Sequence, residues 1–399
     1  MNTVLNTSIA HLDYIDLLRG VAICGVLSVH STFGMNAAGL TQLPMHAESL
    51  LFAGKFGVSL FFVLSAYTLM LSLSGRTGSS QSMFLPYFIR RFFRIAPAYY
   101  LILFLVFFLY GKGFDGYTPP GAPELSWTDL AAHILFVNGL FPYYINSFIG
   151  VEWSIATEFM FYAALPFIFI WLRDSRNHIV LVIKVAVMYL ASLWLLWFMQ
   201  LIKGGLMQKI IGEYPPEIFG PWVYFFILSH IHEFVAGIAV WAALRIRAER
   251  RSQPIGVKTA QIALVGLVAC GVTLAYAQSG LIQNVKLPRG SHVLWGILSA
   301  GLIFTLSYLR PGPVPGLSFL GKVSFSLYLV HMPIFYGLSK FNAAWRLTSL
   351  PIVDYGIYLV FAVSLSLAAA TLLFHFVEKP GIFLGVSAMN RFSKLFLST

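Results

Sequence analysis

Arg19 and His30 lie in one apolar segment, LLRGVAICGVLSVH, eleven residues apart. On a helix, eleven steps of about 100° return to within roughly 20° of the same face, about 16 Å further along the axis. One face of this helix therefore carries a guanidinium group, which binds anions, and an imidazole, which can act as a general base. The alternative is that Arg19 snorkels to lipid phosphates and His30 is a hydrogen-bonded residue of a helix bundle.

Glu158 lies in another apolar segment, EWSIATEFMFY, about two turns into its helix. We expect it at a depth comparable with that of His30. A carboxylate beside an imidazole can fix its tautomer and hold its proton, as general-base chemistry requires. The alternative is a hydrogen bond that packs two helices together, or a salt bridge to another group.

Three arginines precede a third apolar segment in FIRRFFRIAPAYY, namely Arg90, Arg91 and Arg94, and Pro97 is predicted to open the helix that follows. Arg90 and Arg94 are four residues apart and share a helix face. Guanidinium groups can bind phosphate with two hydrogen bonds at once. The cluster therefore predicts either contacts with lipid headgroups or a site for a phosphate-rich ligand at the cytoplasmic face.

The composition places all these residues in a membrane protein. Only 41 of the 399 residues are charged, or 10%, whereas ordinary soluble domains have roughly 25%. Apolar residues make up 58% of the chain, so too few polar side chains remain to cover a water-soluble surface. The net charge of +11 lies in short gaps between apolar runs, which argues against a nucleic-acid partner.

The apolar segments predict an all-α bundle of about ten membrane spans. A span needs about 20 mostly apolar residues, and 128–141 is too short, so we predict a re-entrant or interfacial helix there. Basic clusters fall on one side of the predicted bundle and place both termini in the cytoplasm. The predicted spans are 14–33, 52–73, 95–111, 150–172, 179–202, 221–244, 259–278, 292–309, 319–339 and 354–377.

Other polar residues of the apolar segments give weaker indications. His230, His232 and Glu233 are metal-ligand types, but their HIHE order is not the HExxH arrangement and we predict no metal site. His331 and His375 are interpreted as polar contacts of the bundle or interface anchors.

Several stretches, in order, resemble membrane-bound acyltransferase family 3, which includes bacterial polysaccharide O-acetylases, Nod-factor acylators and macrolide acyltransferases. YIDLLRGVAICGVLSVH resembles its Arg-x10-His motif, GKFGVSLFFVLSAY its second span and RRFFRIAPAYY its basic motif. EWSIATEFMFYAALP, with Trp153, Ser154 and Tyr162, is similar to its Trp-Ser…Glu…Phe-Tyr…Pro motif, and FLGKVSFSLYLVH and FVEKP to its closing elements. Ala66 and Phe159 depart from the family pattern, which usually has Gly and an acid there.

The resemblance implies transfer of an acyl group, most often acetyl, from acyl-CoA to a hydroxyl of an extracytoplasmic glycan or lipid-linked saccharide. The location would be the bacterial cytoplasmic (inner) membrane, among membrane lipids. A thioester is already activated, so acyl-CoA is expected as a co-substrate, with no bound cofactor or metal. We expect a single integral-membrane domain over residues 1–399, without a fused extracytoplasmic domain.

The resemblance also implies roles for individual residues. His30 would be the general base on the acceptor hydroxyl or a transient acyl carrier, and Glu158 would orient it or relay its proton. Arg19 would attract the donor's phosphates or pantetheine arm, and Arg90, Arg91 and Arg94 would hold its nucleotide end.

Two other functions fit buried ionisable groups in about ten spans. A proton-coupled secondary transporter is the main alternative, although the chain shows no inverted repeat and no matched pair of broken helices. A polysaccharide flippase or scaffold without chemistry is the second.

Overall fold

The described residues form an all-helical structure. It is a computed structural model that describes residues 12–37, 51–75, 80–110, 126–175, 177–202, 216–250, 255–278, 292–341 and 345–396. The helices are α1 (Asp13–Ala37), α2 (Phe56–Ser74), α3 (Ser80–Tyr110), α4 (Trp127–Ile134), α5 (Trp153–Arg173), α6 (His178–Leu201), α7 (Pro216–Phe225), α8 (Ile231–Glu249), α9 (Val257–Gln278), α10 (His292–Leu309), α11 (Pro315–Lys322), α12 (Ser324–Ser339), α13 (Pro351–Leu373) and α14 (Lys379–Phe396).

Within these ranges, eight helical stretches are long and apolar enough to cross a membrane, and a ninth is added if α11 and α12 form one span with a 78° bend. Each of the ten predicted spans overlaps at least one helix, and the prediction of an all-helical, multi-pass membrane protein is confirmed. The 19-residue α8 is not among these stretches, and it contains the charged residues Glu233, Arg245 and Arg247. The cytoplasmic location of the termini stays a prediction, since 1–11 and 397–399 lie outside the described residues.

The third predicted span, 95–111, begins too late. Helix α3 starts at Ser80, and its apolar stretch runs over Phe84–Leu109. The three arginines lower the local hydropathy, so the hydropathy pattern did not reveal the first half of this helix. Pro97 lies inside the helix instead of opening it, which transmembrane helices tolerate when neighbouring groups compensate for the missing hydrogen bond.

The sixth predicted span, 221–244, is broken. Helix α7 ends at Phe225, a short 3₁₀ turn covers Ile227–Ser229, and α8 begins at Ile231. The hydroxyl of Ser229 donates to the carbonyl of Val223 at 2.6 Å, which satisfies a backbone group left without a helical partner. The segment 128–141 contains the short α4 and a 3₁₀ turn.

Helix α1 packs against α2, α11 and α12 and lies within the main core cluster. It approaches α11 so closely that two glycines are required. A Cβ on Gly321 would lie 1.8 Å from the Asp16 carbonyl oxygen, and one on Gly20 would lie 2.0 Å from that of Leu317. By contrast, α6 and α9 expose most of their apolar side chains, as helices that face lipid do.

Candidate functional site

Arg19, Arg91 and Arg94 line one cavity, which we call the arginine cavity. They come from α1 and α3, and α5 adds Glu158 and Tyr162. The empty volume, which includes space open to solvent, is about 780 Å³. Three guanidinium groups facing one space form a site for an anion that can accept several hydrogen bonds.

The contacts in the arginine cavity leave part of its hydrogen-bonding capacity unused. Arg19 lies 3.7 Å from a carboxylate oxygen of Asp16, and the Arg91 guanidinium lies 6.0 Å from the centroid of the Tyr162 ring. Nε of Arg91 is buried, and no described residue places an acceptor within hydrogen-bonding distance of it. A buried donor without a partner is costly, and a bound ligand would satisfy it.

Arg90 is separated from the other two arginines of its cluster. Its Nε donates to the carbonyl of Pro86 at 3.1 Å, and its side chain does not line the arginine cavity. The predicted set of three donor-binding arginines on α3 is therefore split, because adjacent positions on a helix point about 100° apart.

Glu158 lies in the arginine cavity and accepts a hydrogen bond from the hydroxyl of Ser65 on α2. The structure does not bring Glu158 into contact with His30. The contact to the imidazole that we expected from Glu158 is made by another histidine.

His30 lines a second space, the histidine cavity, together with Trp153, Tyr224 and His292. It is larger, with an empty volume of about 1550 Å³. Nδ1 of His30 lies 2.7 Å from Nε2 of His331 on α12, although the two residues are 301 positions apart in the chain. The sequence predicted no function for His331, which lies in the closing motif FLGKVSFSLYLVH. Spacing along the chain could not show that it contacts His30.

A second polar cluster lies on the wall of the histidine cavity, and the sequence identified its His230 and Glu233 only as metal-ligand types. The buried carboxylate of Glu233 accepts a hydrogen bond of 2.5 Å from Ser59 and lies 2.9 Å from Nδ1 of His230. Nε2 of His230 donates to the carbonyl of Tyr224 at 2.8 Å, across the break between α7 and α8. Among the described residues, no group of three His, Cys, Asp or Glu side chains is arranged to hold a metal ion.

Val58 and Tyr328 line both cavities, so the two spaces meet at these side chains. Tyr328 is held in place because its hydroxyl donates to the Val151 carbonyl at 2.9 Å and lies 2.6 Å from the Ser154 hydroxyl. The neighbouring motif residues divide between the cavities, since Trp153 faces the histidine cavity and Ser154 the arginine cavity.

A buried carboxylate fixes the start of α5, which supplies Trp153, Ser154 and Glu158. Glu152 accepts hydrogen bonds from the backbone N–H groups of Phe148, Ile149 and Val151, and it lies 3.3 Å from Nε2 of His133 on α4. Burial alone would lower the pKa of His133, but its hydrogen bonds to Asp129 and Glu152 outweigh burial and raise the pKa to about 9. At neutral pH, an imidazolium ion therefore stabilises this loop.

Comparison with known proteins agrees with the resemblance seen in the motifs. The chain is 25% identical over 347 residues to peptidoglycan O-acetyltransferase OatA of Listeria monocytogenes serovar 1/2a, an alignment that covers 81% of this chain and 49% of that protein. The chain thus spans about half the length of this curated relative. No solved structure matches the chain. The model of the acyltransferase family 3, described as "Acyltransferase domain", matches residues 12–371, which is nearly the whole chain. The chain therefore belongs to acyltransferase family 3.

Proposed function

We propose that this membrane acyltransferase moves an acyl group, most often acetyl, from acyl-CoA to a hydroxyl of a glycan or lipid-linked saccharide on the extracytoplasmic side. The observation that carries the proposal is the meeting of the two cavities at Val58 and Tyr328. One cavity has the cationic groups that an anionic donor needs, and the other has the imidazole that an acceptor hydroxyl needs.

The donor occupies the arginine cavity. The phosphate groups at the nucleotide end of coenzyme A cannot cross hydrocarbon, but its slender pantetheine arm, which ends in the thioester, can enter a narrow cavity. Arg91 and Arg94 bind the phosphates from the cytoplasmic side, and Arg19 guides the arm towards Tyr328. Glu158, among the three guanidinium groups, orients them and offsets part of their charge. Acyl-CoA is a co-substrate, and the reaction uses no metal.

His30 removes the proton from the acceptor hydroxyl in the histidine cavity. The oxygen attacks the thioester carbonyl, a C–O bond forms, the C–S bond breaks, and the proton passes from the imidazole to the departing thiolate. General-base catalysis of this kind contributes about 10²–10⁴-fold. An acyl-histidine intermediate would use the same residue in two steps, with the acyl group first on the ring and then on the hydroxyl.

The proposed class of acceptor is inferred from the name of a related protein. The Listeria protein is described as acting on peptidoglycan, so we propose a cell-envelope polysaccharide or its lipid-linked precursor as the acceptor here. In this proposal the protein lies in a bacterial cytoplasmic membrane, with both termini inside and the histidine cavity open to the outside.

The test uses His30→Ala in membranes supplied with radiolabelled acetyl-CoA and extracted cell-envelope glycan. We expect acceptor-dependent transfer to fall by about 10²-fold or more, at unchanged protein abundance. His375→Ala is the matched control, because His375 is exposed, its Nδ1 bonds to the Thr371 carbonyl one turn earlier, and its ring packs against the adjacent Phe374. Undiminished transfer by His30→Ala would remove the proposed role of His30.

A transporter makes a different prediction from the same purified protein. Proteoliposomes without acyl donor would show proton-coupled flux of a saccharide if the protein were a carrier. Acceptor-dependent release of free CoA, without such flux, supports the enzyme.

A further inference from the structure

We propose that His331 is a positioning residue that holds His30 in the tautomer protonated at Nδ1, so that Nε2 of His30 removes the proton of the acceptor. The catalytic part of this inference rests on the proposed function. The tautomer itself follows from hydrogen-bond geometry together with a neutral His331.

A backbone carbonyl determines which ring nitrogen of His331 carries the hydrogen. Nδ1 of His331 lies 3.2 Å from the carbonyl oxygen of Leu327, one turn earlier on α12. A carbonyl oxygen can only accept, so Nδ1 of His331 carries the hydrogen. In a neutral imidazole the other ring nitrogen is then an acceptor. Nε2 of His331 therefore presents a lone pair.

That lone pair is directed at His30. Nε2 of His331 and Nδ1 of His30 are 2.7 Å apart, and because the first accepts, the second must donate. The ring centroids lie 4.9 Å apart, whereas the two nitrogens are only 2.7 Å apart, so the nitrogens lie between the two rings and face each other, as an N–H···N bond requires. Nε2 of His30 is left with a free lone pair, on a ring that lines the histidine cavity.

The surroundings of His331 favour its neutral form. The ring is fully buried, beside the rings of Tyr328 and Phe335. No carboxylate of the described chain forms an ion pair with it, and a buried charge without a counter-ion is costly. A protonated His331 would donate from Nε2 and force His30 into the opposite tautomer, with its basic nitrogen turned away from the acceptor.

The arrangement resembles the triad logic in which a group on Nδ1 fixes the tautomer of a catalytic histidine and leaves Nε2 to act. Here the fixing group is a neutral imidazole instead of a carboxylate. The N–H···N bond strengthens as His30 takes up the proton at Nε2, since Nδ1–H then belongs to an imidazolium ion. His331 adds no net charge to a cavity deep in the bundle.

Two substitutions separate the hydrogen bond from packing. The side-chain oxygen of His331→Gln can accept from His30 in place of Nε2, whereas His331→Leu removes the acceptor and keeps an apolar side chain. We expect the Leu variant to lower kcat by about 10–100-fold with little change in KM for donor or acceptor, as loss of a group that orients a functional histidine does. The Gln variant should recover most of kcat. Equal activity of the two variants, or a Leu variant with undiminished kcat, would overturn the proposal.

A spectroscopic measurement on the unmodified protein does not depend on catalysis. In protein labelled with ¹⁵N-histidine and reconstituted in lipid, the two ring nitrogens of each histidine report which one is protonated. The His30 signals are those missing from His30→Ala. We expect protonation at Nδ1, and protonation at Nε2 would overturn the tautomer assignment while leaving the acyltransferase proposal standing. Full activity of His30→Ala would instead remove the proposed function, whatever the tautomer.

Discussion

Arg90 and Arg91 are neighbours in the chain with different surroundings. Arg91 lines the arginine cavity with a buried, unsatisfied Nε, whereas Arg90 is half-buried and bonds to the backbone one turn away. A hydrogen bond to a charged group contributes about 1.5–3 kcal/mol, so one such bond corresponds to about a 10–100-fold change in affinity.

We therefore expect Arg91→Ala to raise the KM for acyl-CoA by about tenfold or more, with a smaller effect on the KM for the acceptor. Arg90→Ala is the matched control and should leave the donor KM nearly unchanged. Steady-state kinetics with each substrate varied in turn makes the measurement. Equal effects of the two substitutions would support the alternative, in which the arginine cluster contacts lipid headgroups.

At the scale of single residues, the sequence predicted which side chains line a cavity better than it predicted which side chains contact each other. The spacing of Arg19 and His30 identified two residues that each line a cavity, and Trp153, Ser154 and Tyr162 also line the two spaces. The partner of His30 could not be predicted, because it lies 301 residues away and only packing of α1 against α12 brings it close. Glu158 was assigned to His30 from depth alone, and depth along a helix does not specify direction around it.

The close approach of α1 and α11 sets the position of both Arg19 and His30. Gly321 lies against the Asp16 carbonyl with no room for a side chain, whereas a Cβ on Gly316, at the other end of α11, would meet nothing within 4 Å. A forced increase in side-chain size in a packed core costs about 1–3 kcal/mol.

We expect Gly321→Ala to lower the free energy of unfolding by about 1–3 kcal/mol and to reduce transfer, because α1 must shift. Gly316→Ala should have little effect on either. Thermal unfolding in detergent, together with activity in membranes, tests both variants. A Gly321→Ala protein as stable and active as the Gly316→Ala protein would show that α1 and α11 separate without cost.

The sequence predicted the presence of the helices better than the residues at which they begin and end. A predicted span overlaps each of the eight apolar helical stretches of the described ranges, because a bilayer demands long apolar runs. It misplaced the start of α3, where three arginines lie on a helix that continues through them. It also missed the break between α7 and α8, which depends on Ser229 and His230 bonding back to α7 carbonyls.

On the scale of the whole molecule, the proposal requires the two ends of α5 to lie on opposite sides of the membrane. At about 1.5 Å per residue its 21 residues are roughly 31 Å long, close to the thickness of the hydrocarbon core. Thr128, near the loop that precedes α5, and Asp174, just after α5, are both exposed.

Single cysteines at these positions test the proposed orientation. In a chain with Cys24 and Cys270 replaced, Thr128→Cys should react with a membrane-impermeant maleimide on intact cells, and Asp174→Cys only after the membrane is opened. Labelling followed by a mass shift on gels measures both. The reverse pattern would place the arginine cavity outside, away from cytoplasmic acyl-CoA.

The shared position of Val58 and Tyr328 has a consequence for the cell as well as for the reaction. The phenol of Tyr328 and the isopropyl group of Val58 line both cavities, and in the proposed function these cavities open to opposite sides of the membrane. If the acyl group passes there as proposed, a side chain smaller than Tyr328 would risk a proton leak across the membrane, and the hydrogen bonds of its hydroxyl to Ser154 and the Val151 carbonyl keep that side chain in place.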